Sequence, residues 1–336
     1  MILFNKDTEK EIVVIAEIGV NHMGSVEWIL KMLPQIKESG ADAVKFQLFT
    51  PDLYASRSDP QRHSQVSNLA LSKNDFLQIK KLGDSLKLPV FATPLSHDWV
   101  SFIADTCSVI KIASGDFTFS PTVEASLKTS AKVILSSGAT SRDEIKSFVL
   151  KAKSLRPGAK YYESIALLHC ISSYPAPINE SNLSAITDLK ELTGLTIGFS
   201  SHFVEDSPSF VALGVGARIF EVHVTDDRMR TDIRDHLLSR TIKELSLFVN
   251  SIKQLNESLN SGPKAIQRSE LLLIRQLKKG LIYSKNLPKG HTLTQDDLNY
   301  ARPQNLGIPG AENIIGKKLS RNVNSYTTVK LDDLIN

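Results

Sequence analysis

Polar and ionisable residues cluster toward the C-terminal ends of eight apolar runs. IVVIAEIGV carries Glu17, AVKFQLF carries Lys45 and Gln47, PVFATP reaches Thr93, and VIKIASGDF carries Lys111, Ser114 and Asp116. KVILSSG ends in Ser136 and Ser137, SIALLHCISSYP in Ser172 and Tyr174, TIGFSSH in His202, and RIFEVHVTD carries Glu221 and His223. Carboxylates, amines and imidazoles at such positions can move protons, bind anions or hold a cation.

His202 and His223 close the last two runs. Neighbouring strands lie about 4.8 Å apart, so both imidazoles can reach one divalent cation. Its open positions would then serve Lewis-acid catalysis. The alternative is a pair of hydrogen-bonded histidines in a polar rim, and two histidines on separate strands are a weaker signal than HExxH. Lys45 and Lys111 interrupt apolar runs, where an unpaired ammonium is costly. Each needs an anion, either a substrate phosphate or carboxylate or an internal carboxylate such as Glu17 or Asp116. Ser136-Ser137-Gly138 offers hydroxyls and a close backbone approach, also suited to an anion. Asn21-His22 reads as a turn cap, His169 as a satisfied core histidine, and His63, His97 and His291 as loop residues.

Strands buried on both faces read as continuous apolar runs. Eight of them, separated by helix patterns and carrying chemistry at one end, predict a (β/α)8 barrel with its site at the C-terminal face. The first helix opens at Ser25 and stops before Gly40, with a kink expected at Pro34. Others are expected over 74–86, from the capping box Ser141–Glu144, and over 179–192, 206–216 and 241–259. Residues 54–71 are polar and read as a long loop near the site. Beyond Gly262-Pro263, 269–277 looks helical. Short β-type runs with Gly, Pro, Asn and Asp follow, indicating a small β-rich domain of marginal size.

The 336 residues are 41% hydrophobic and 23% charged, the composition of a soluble globular protein. A net charge of +4 without a basic cluster argues against nucleic acid as partner. No apolar run approaches the roughly 18 residues of a membrane span, and the N-terminus lacks a signal-peptide core. Cys107 and Cys170 read as small core residues of a reduced, cytoplasmic chain.

The ordered segments IAEIGVNHMG, ADAVKFQLF, IKIASGDF, LLHCISSYPAP, IGFSSH and EVHVTDDR resemble the N-acetylneuraminate (sialic acid) synthase family. The tail, with LPKGHTLTQDDL, RPQNLGIPG and IIGKKL, resembles that family's C-terminal antifreeze-like (SAF) domain. The resemblance covers nearly the whole chain. It implies a catalytic TIM barrel over 1–262, a linker over 263–278 and an SAF domain over 279–336.

It also implies a transferase that joins phosphoenolpyruvate to an N-acyl-mannosamine-like aldose, giving a nine-carbon 2-keto-3-deoxy acid and phosphate. By position, Lys45, Thr93, Lys111, Ser114 and Ser136 match groups around phosphoenolpyruvate. His202 and His223 match ligands of a divalent metal, usually Mn or Mg. Gln47 and Tyr174 match the sugar side, Glu17 an acid that handles protons, and Asp235 the acid of a PDH segment. Arg302 matches an arginine that reaches the sugar bound in the neighbouring subunit, which implies a domain-swapped homodimer. Asp116, Ser172 and Ser200 also fall at substrate-side positions.

The chain departs from the family pattern near the substrates. Ser172 stands where Asn is common, Ser200-Ser201-His202 replaces Ser-Asp-His, and Asp116 replaces Glu. TDIRDH is a residue longer than its counterpart, and RPG reads Arg302-Pro303-Gln304. These differences leave the acceptor open among legionaminic and pseudaminic precursors and phosphorylated or unacylated aldoses. A non-catalytic sugar-binding paralogue is the alternative outside the enzyme class. Retention of Glu17, both lysines and both histidines argues against it.

Overall fold

Eight parallel strands close into a barrel in the computed structural model, which describes residues 1–259, 262–304, 308 and 310–335. They are β1 (Val13–Gly19), β2 (Ala43–Leu48), β3 (Val90–Pro94), β4 (Val109–Ile112), β5 (Lys132–Ser136), β6 (Ile165–His169), β7 (Thr196–Ser201) and β8 (Ile219–His223). Each pairs with its sequence neighbours, and β8 closes on β1. Their residues are almost all buried, as expected of strands packed inside on one another and outside on helices.

The sequence explains where the surrounding helices start. Ser25 caps Val26–Glu38 by accepting from Trp28 N, and Gly40 follows its end with φ +85. Reciprocal capping boxes open Lys73–Ser85 (Ser72/Asp75), Arg142–Leu155 (Ser141/Glu144) and Ile242–Ser258 (Thr241/Glu244).

Two expectations need correction. Residues 54–71 are not a plain loop, because they contain a helix over Pro60–Ser67 and follow another over Pro51–Tyr54. Asp59 accepts from Arg62 N and Pro60 sits at the first helical position, a start signal that the polar composition obscured. The helix expected over 179–192 begins only at Ala185, after a single 3-10 turn at Ile178–Glu180.

The chain divides into Met1–Asn260 and Ser261–Asn336. In the second unit, two short helices, Arg268–Leu271 and Ile274–Leu277, precede β9 (Gly280–Tyr283), which pairs antiparallel with β10 (Leu298–Ala301). The strands β11 (Lys318–Leu319) and β12 (Leu334–Ile335) form the other pair. Parts of RPQNLGIPG (305–307 and 309) and residue 336 lie outside the described residues.

This unit contains a repeat that strand patterning alone passes over. SKNLPKGHTLTQDDL (284–298) recurs as SRNVNSYTTVKLDDL (320–334), and the copies bond reciprocally. Lys285 pairs with Asp297 at 2.9 Å as Arg321 Nε pairs with Asp333 at 2.7 Å. Asn286 accepts from Ser325 N and Asn322 from Lys289 N. Leu287 and Val323, equivalent in the two copies, exchange backbone hydrogen bonds with each other. Two half-cores thereby close on one cluster that includes Leu281, Tyr283, Leu293, Leu319 and Val329.

Candidate active site

Strand register places the polar side chains in the barrel's interior. Glu17 of β1 lies directly across from Lys45 of β2 and His223 of β8, and Gln47 of β2 lies across from Thr93 of β3. Successive side chains alternate faces along a strand, so Lys45 and Gln47 project together, as do Glu221 and His223.

A buried network results. Lys45 Nζ stands 2.6 Å from Glu17 Oε2 and donates to Thr93 Oγ1 at 3.0 Å. Gln47 Nε2 donates to Glu17 Oε1 at 3.1 Å. Lys111 Nζ donates to Ser136 Oγ at 2.6 Å and lies 3.7 Å from Glu221 Oε1. Glu221 also receives the Ser200 hydroxyl at 3.0 Å and lies 3.9 Å from Lys45. Both lysines therefore have internal partners, Glu17 and Glu221 rather than Asp116.

The network polarises its members in opposite directions. Burial pushes the Glu17 carboxyl up against the pull of Lys45. Burial acts on Glu221 in the same sense, but Lys111 and Lys45 together outweigh it and hold that carboxyl low. Burial also lowers Lys111. One carboxyl inclined to keep its proton beside another that stays ionised is a usual arrangement for acid–base chemistry.

A second group lies at the ends of β7 and β8. The His202 and His223 ring centroids are 5.6 Å apart. Tyr174 packs on His202 with centroids 4.0 Å apart, and the Arg234 guanidinium lies over the Tyr174 ring, 4.6 Å from its centroid. The Ile171 carbonyl can only accept, so the 2.7 Å contact fixes a proton on His202 Nδ1 and leaves Nε2 its lone pair. Burial draws His202 down to about 4 and His223 to about 3, so both rings are neutral near pH 7. His223 Nδ1 is buried without a hydrogen bond, 3.7 Å from Asp235 Oδ2. Burial raises the Asp235 carboxyl.

A third group surrounds Gly138. Its N–H donates to Ser114 Oγ at 3.1 Å, and Ser114 Oγ lies 3.0 Å from Cys170 Sγ. A Cβ on Gly138 would stand 2.3 Å from Ser172 Oγ and 2.9 Å from Ser114 Oγ, so only glycine keeps this cradle open.

The structure does not gather every candidate. The Asp116 carboxylate lies on a 3-10 turn and makes no hydrogen bond to the network. Arg302 belongs to the C-terminal unit, where it is exposed and donates to Leu277 O at 2.6 Å. Asn21 is a structural clamp, donating to Val224 O and Ser239 Oγ, and His22 caps a turn by accepting from Gly24 N. His169 donates to Ser181 O, the satisfied core histidine expected. Glu221, noted at the end of its apolar run but given no role there, joins the network. Its signal was a carboxylate two positions before His223, on the same face of an otherwise apolar strand.

The chain resembles known proteins along most of its length. The model of the NeuB family matches residues 32–264, and that of the SAF domain matches residues 278–335. The chain is 31% identical to N,N'-diacetyllegionaminic acid synthase of Campylobacter jejuni, over 93% of this chain and 97% of that protein. It is 28% identical to N-acetylneuraminate-9-phosphate synthase of Homo sapiens, over 96% and 90% respectively. The crystal structure of N-acetylneuraminic acid (sialic acid) synthetase from Leptospira borgpetersenii in complex with citrate matches with a TM-score of 0.73 at 30% identity. That match covers 79% of this chain and 90% of the other.

Proposed function

The chain belongs to the NeuB family of sugar-acid synthases, and from that premise we propose that it condenses phosphoenolpyruvate with an N-acyl-mannosamine-like aldose. The observation that carries this reading is the buried pairing of Lys45 with Glu17 and of Lys111 with Glu221 inside a synthase barrel. Two interior ammonium groups suit a small substrate bearing both a phosphate and a carboxylate.

In the proposed reaction, C3 of the enol forms a bond to the aldehyde carbon, and the aldehyde oxygen takes a proton. Water adds at C2, the C2–O bond to phosphate breaks, and a 2-keto-3-deoxy acid and inorganic phosphate leave. Lys45 and Lys111 hold the anionic ends, and Thr93, Ser136, Ser114 and the open Gly138 cradle fix orientation. Glu17 holds or delivers the proton, since burial favours its protonated form. Gln47 and Tyr174 stand on the acceptor side. Aligning two substrates in one closed pocket supplies much of the acceleration.

The donor set near Tyr174 fits a divalent cation such as Mn or Mg. His202 Nε2 is free of its backbone contact, both rings are neutral, and His223 Nδ1 lacks a partner. Among the described residues no three His, Cys, Asp or Glu side chains gather into a cage, so His202 and His223 would hold the ion together with substrate and water. When bound, it would act as a Lewis acid toward the acceptor's carbonyl oxygen.

We include in the proposal the homodimer in which Arg302 serves the partner's site. Among the described residues no helix is long and apolar enough to cross a membrane. Release of phosphate from phosphoenolpyruvate across a panel of N-acylated, phosphorylated and unacylated aldoses tests the reading and identifies the acceptor. No release with any of them would refute it.

A further inference from the structure

Arg240 is buried, yet no role in the proposed chemistry accounts for it. Its backbone extends the end of β8. Arg240 N donates to His223 O at 2.8 Å, and Thr225 N donates to Arg240 O at 2.9 Å, in a parallel bridge with Val224. Its side chain turns toward the neighbouring βα unit. There Nε donates to Asp206 Oδ1 at 2.8 Å, and Nη2 stands 2.5 Å from the same oxygen. Asp206 is the N-cap residue of the helix Ser207–Gly214, and the segment before it begins at His202. The guanidinium lies over the Phe248 ring, 4.7 Å from its centroid, and Phe248 stacks on Phe210 of that same helix.

One residue is thus bonded through its main chain to His223 and through its side chain to the segment that leaves His202. A buried guanidinium is a costly way to fill space, and Nη1 makes no hydrogen bond. Its distinctive capacity is a directional link between two loops. We propose that Arg240, with Asp206, is a positioning residue that sets the separation of the His202 and His223 imidazoles and so tunes divalent-cation affinity. This rests on the two-histidine reading of the site.

The test uses the full-length chain and manganese alone, with no substrate and no turnover. Manganese affinity is measured by titration calorimetry or electron paramagnetic resonance, and thermal unfolding is measured in parallel. Arg240→Met retains much of the apolar stem over Phe248 and deletes the link. It should weaken manganese binding about 10- to 100-fold, the range for outer-shell supports of metal ligands. Arg240→Lys should recover part of the loss. Asp206→Asn, a milder change should Arg240→Met fold poorly, should also weaken binding. The double variant should be no worse than the worse single variant. Unchanged manganese affinity with a lowered Tm would make Arg240 a purely structural staple and overturn the proposal. Failure of the wild-type chain to bind manganese would remove the two-histidine site, and this proposal with it.

Discussion

Lys45 Nζ lies 2.6 Å from Glu17 Oε2, between residues that sit directly across from each other on β1 and β2 and are almost closed to water. On the proposed reading, this contact joins the anion-binding group to the proton-handling one. A substrate phosphate or carboxylate engaging Lys45 would weaken its hold on Glu17, and burial would then favour the protonated carboxyl. Binding of one substrate would in this way be coupled to the acid that the proposed reaction uses.

Glu17→Gln should preserve volume and the fold while removing the titrating group. General acid–base catalysis contributes typically 10²–10⁴-fold, so kcat should fall by about that factor with little change in the KM for phosphoenolpyruvate. Steady-state kinetics provide the check. Near-normal kcat would assign proton handling elsewhere, with Asp235 the next candidate.

Lys111 and Tyr174 should separate the two substrates. Lys111→Met deletes an ammonium that faces the anion and should raise the KM for phosphoenolpyruvate far more than that for the aldose. Tyr174→Phe should do the reverse. If both variants disturb only the aldose, the pocket has been oriented the wrong way.

His202→Ala and His223→Ala should each abolish manganese binding or reduce it to a weak residue. Chelation should arrest turnover, with added Mn or Mg restoring it, since loss of a Lewis acid is worth several kcal/mol. Full activity in excess chelator is the outcome that refutes this.

The C-terminal unit should show an acid-dependent stability centred on Asp297. Burial alone would raise this carboxyl, but hydrogen bonds from His291, Lys285 and Thr294 outweigh it and hold it well below its ordinary value of 3.8. A depressed carboxyl contributes stability above its unfolded value and loses it as pH falls through the folded one. Asp297→Asn should therefore destabilise the unit by roughly 2 kcal/mol at pH 7. The gap from wild type should shrink below about pH 4. Hydrogen exchange of residues 280–335 at several pH values measures it, and a gap independent of pH would contradict the assignment.

The eight strands and their reactive ends were legible because a continuous apolar run closed by polar residues is a local signal. The capping box at Ser141 was legible for the same reason. Glu221 was visible as a carboxylate in its strand, but its partners were not, since reaching Lys111 and Lys45 across the barrel is a non-local contact. The helix at Pro60–Ser67 was masked by polarity, although Asp59-Pro60 announced it. The duplicated halves of the tail were visible in SKN and SRN and in the two DDL triplets. Short strands under turn-rich sequence directed attention to composition instead. Asp116 stands on a 3-10 turn and is not the internal partner of either lysine, because Glu17 and Glu221 reach them across the barrel.

Carbon–carbon bond formation at C3 of phosphoenolpyruvate can be followed by nuclear magnetic resonance with [3-13C]phosphoenolpyruvate. With an N-acyl-mannosamine-like aldose and Mn, the label should move into the C3 methylene of a 2-keto-3-deoxy acid, with one inorganic phosphate released per product. Label appearing in the methyl of pyruvate, or phosphate released equally well without an aldose, would rule out the condensation.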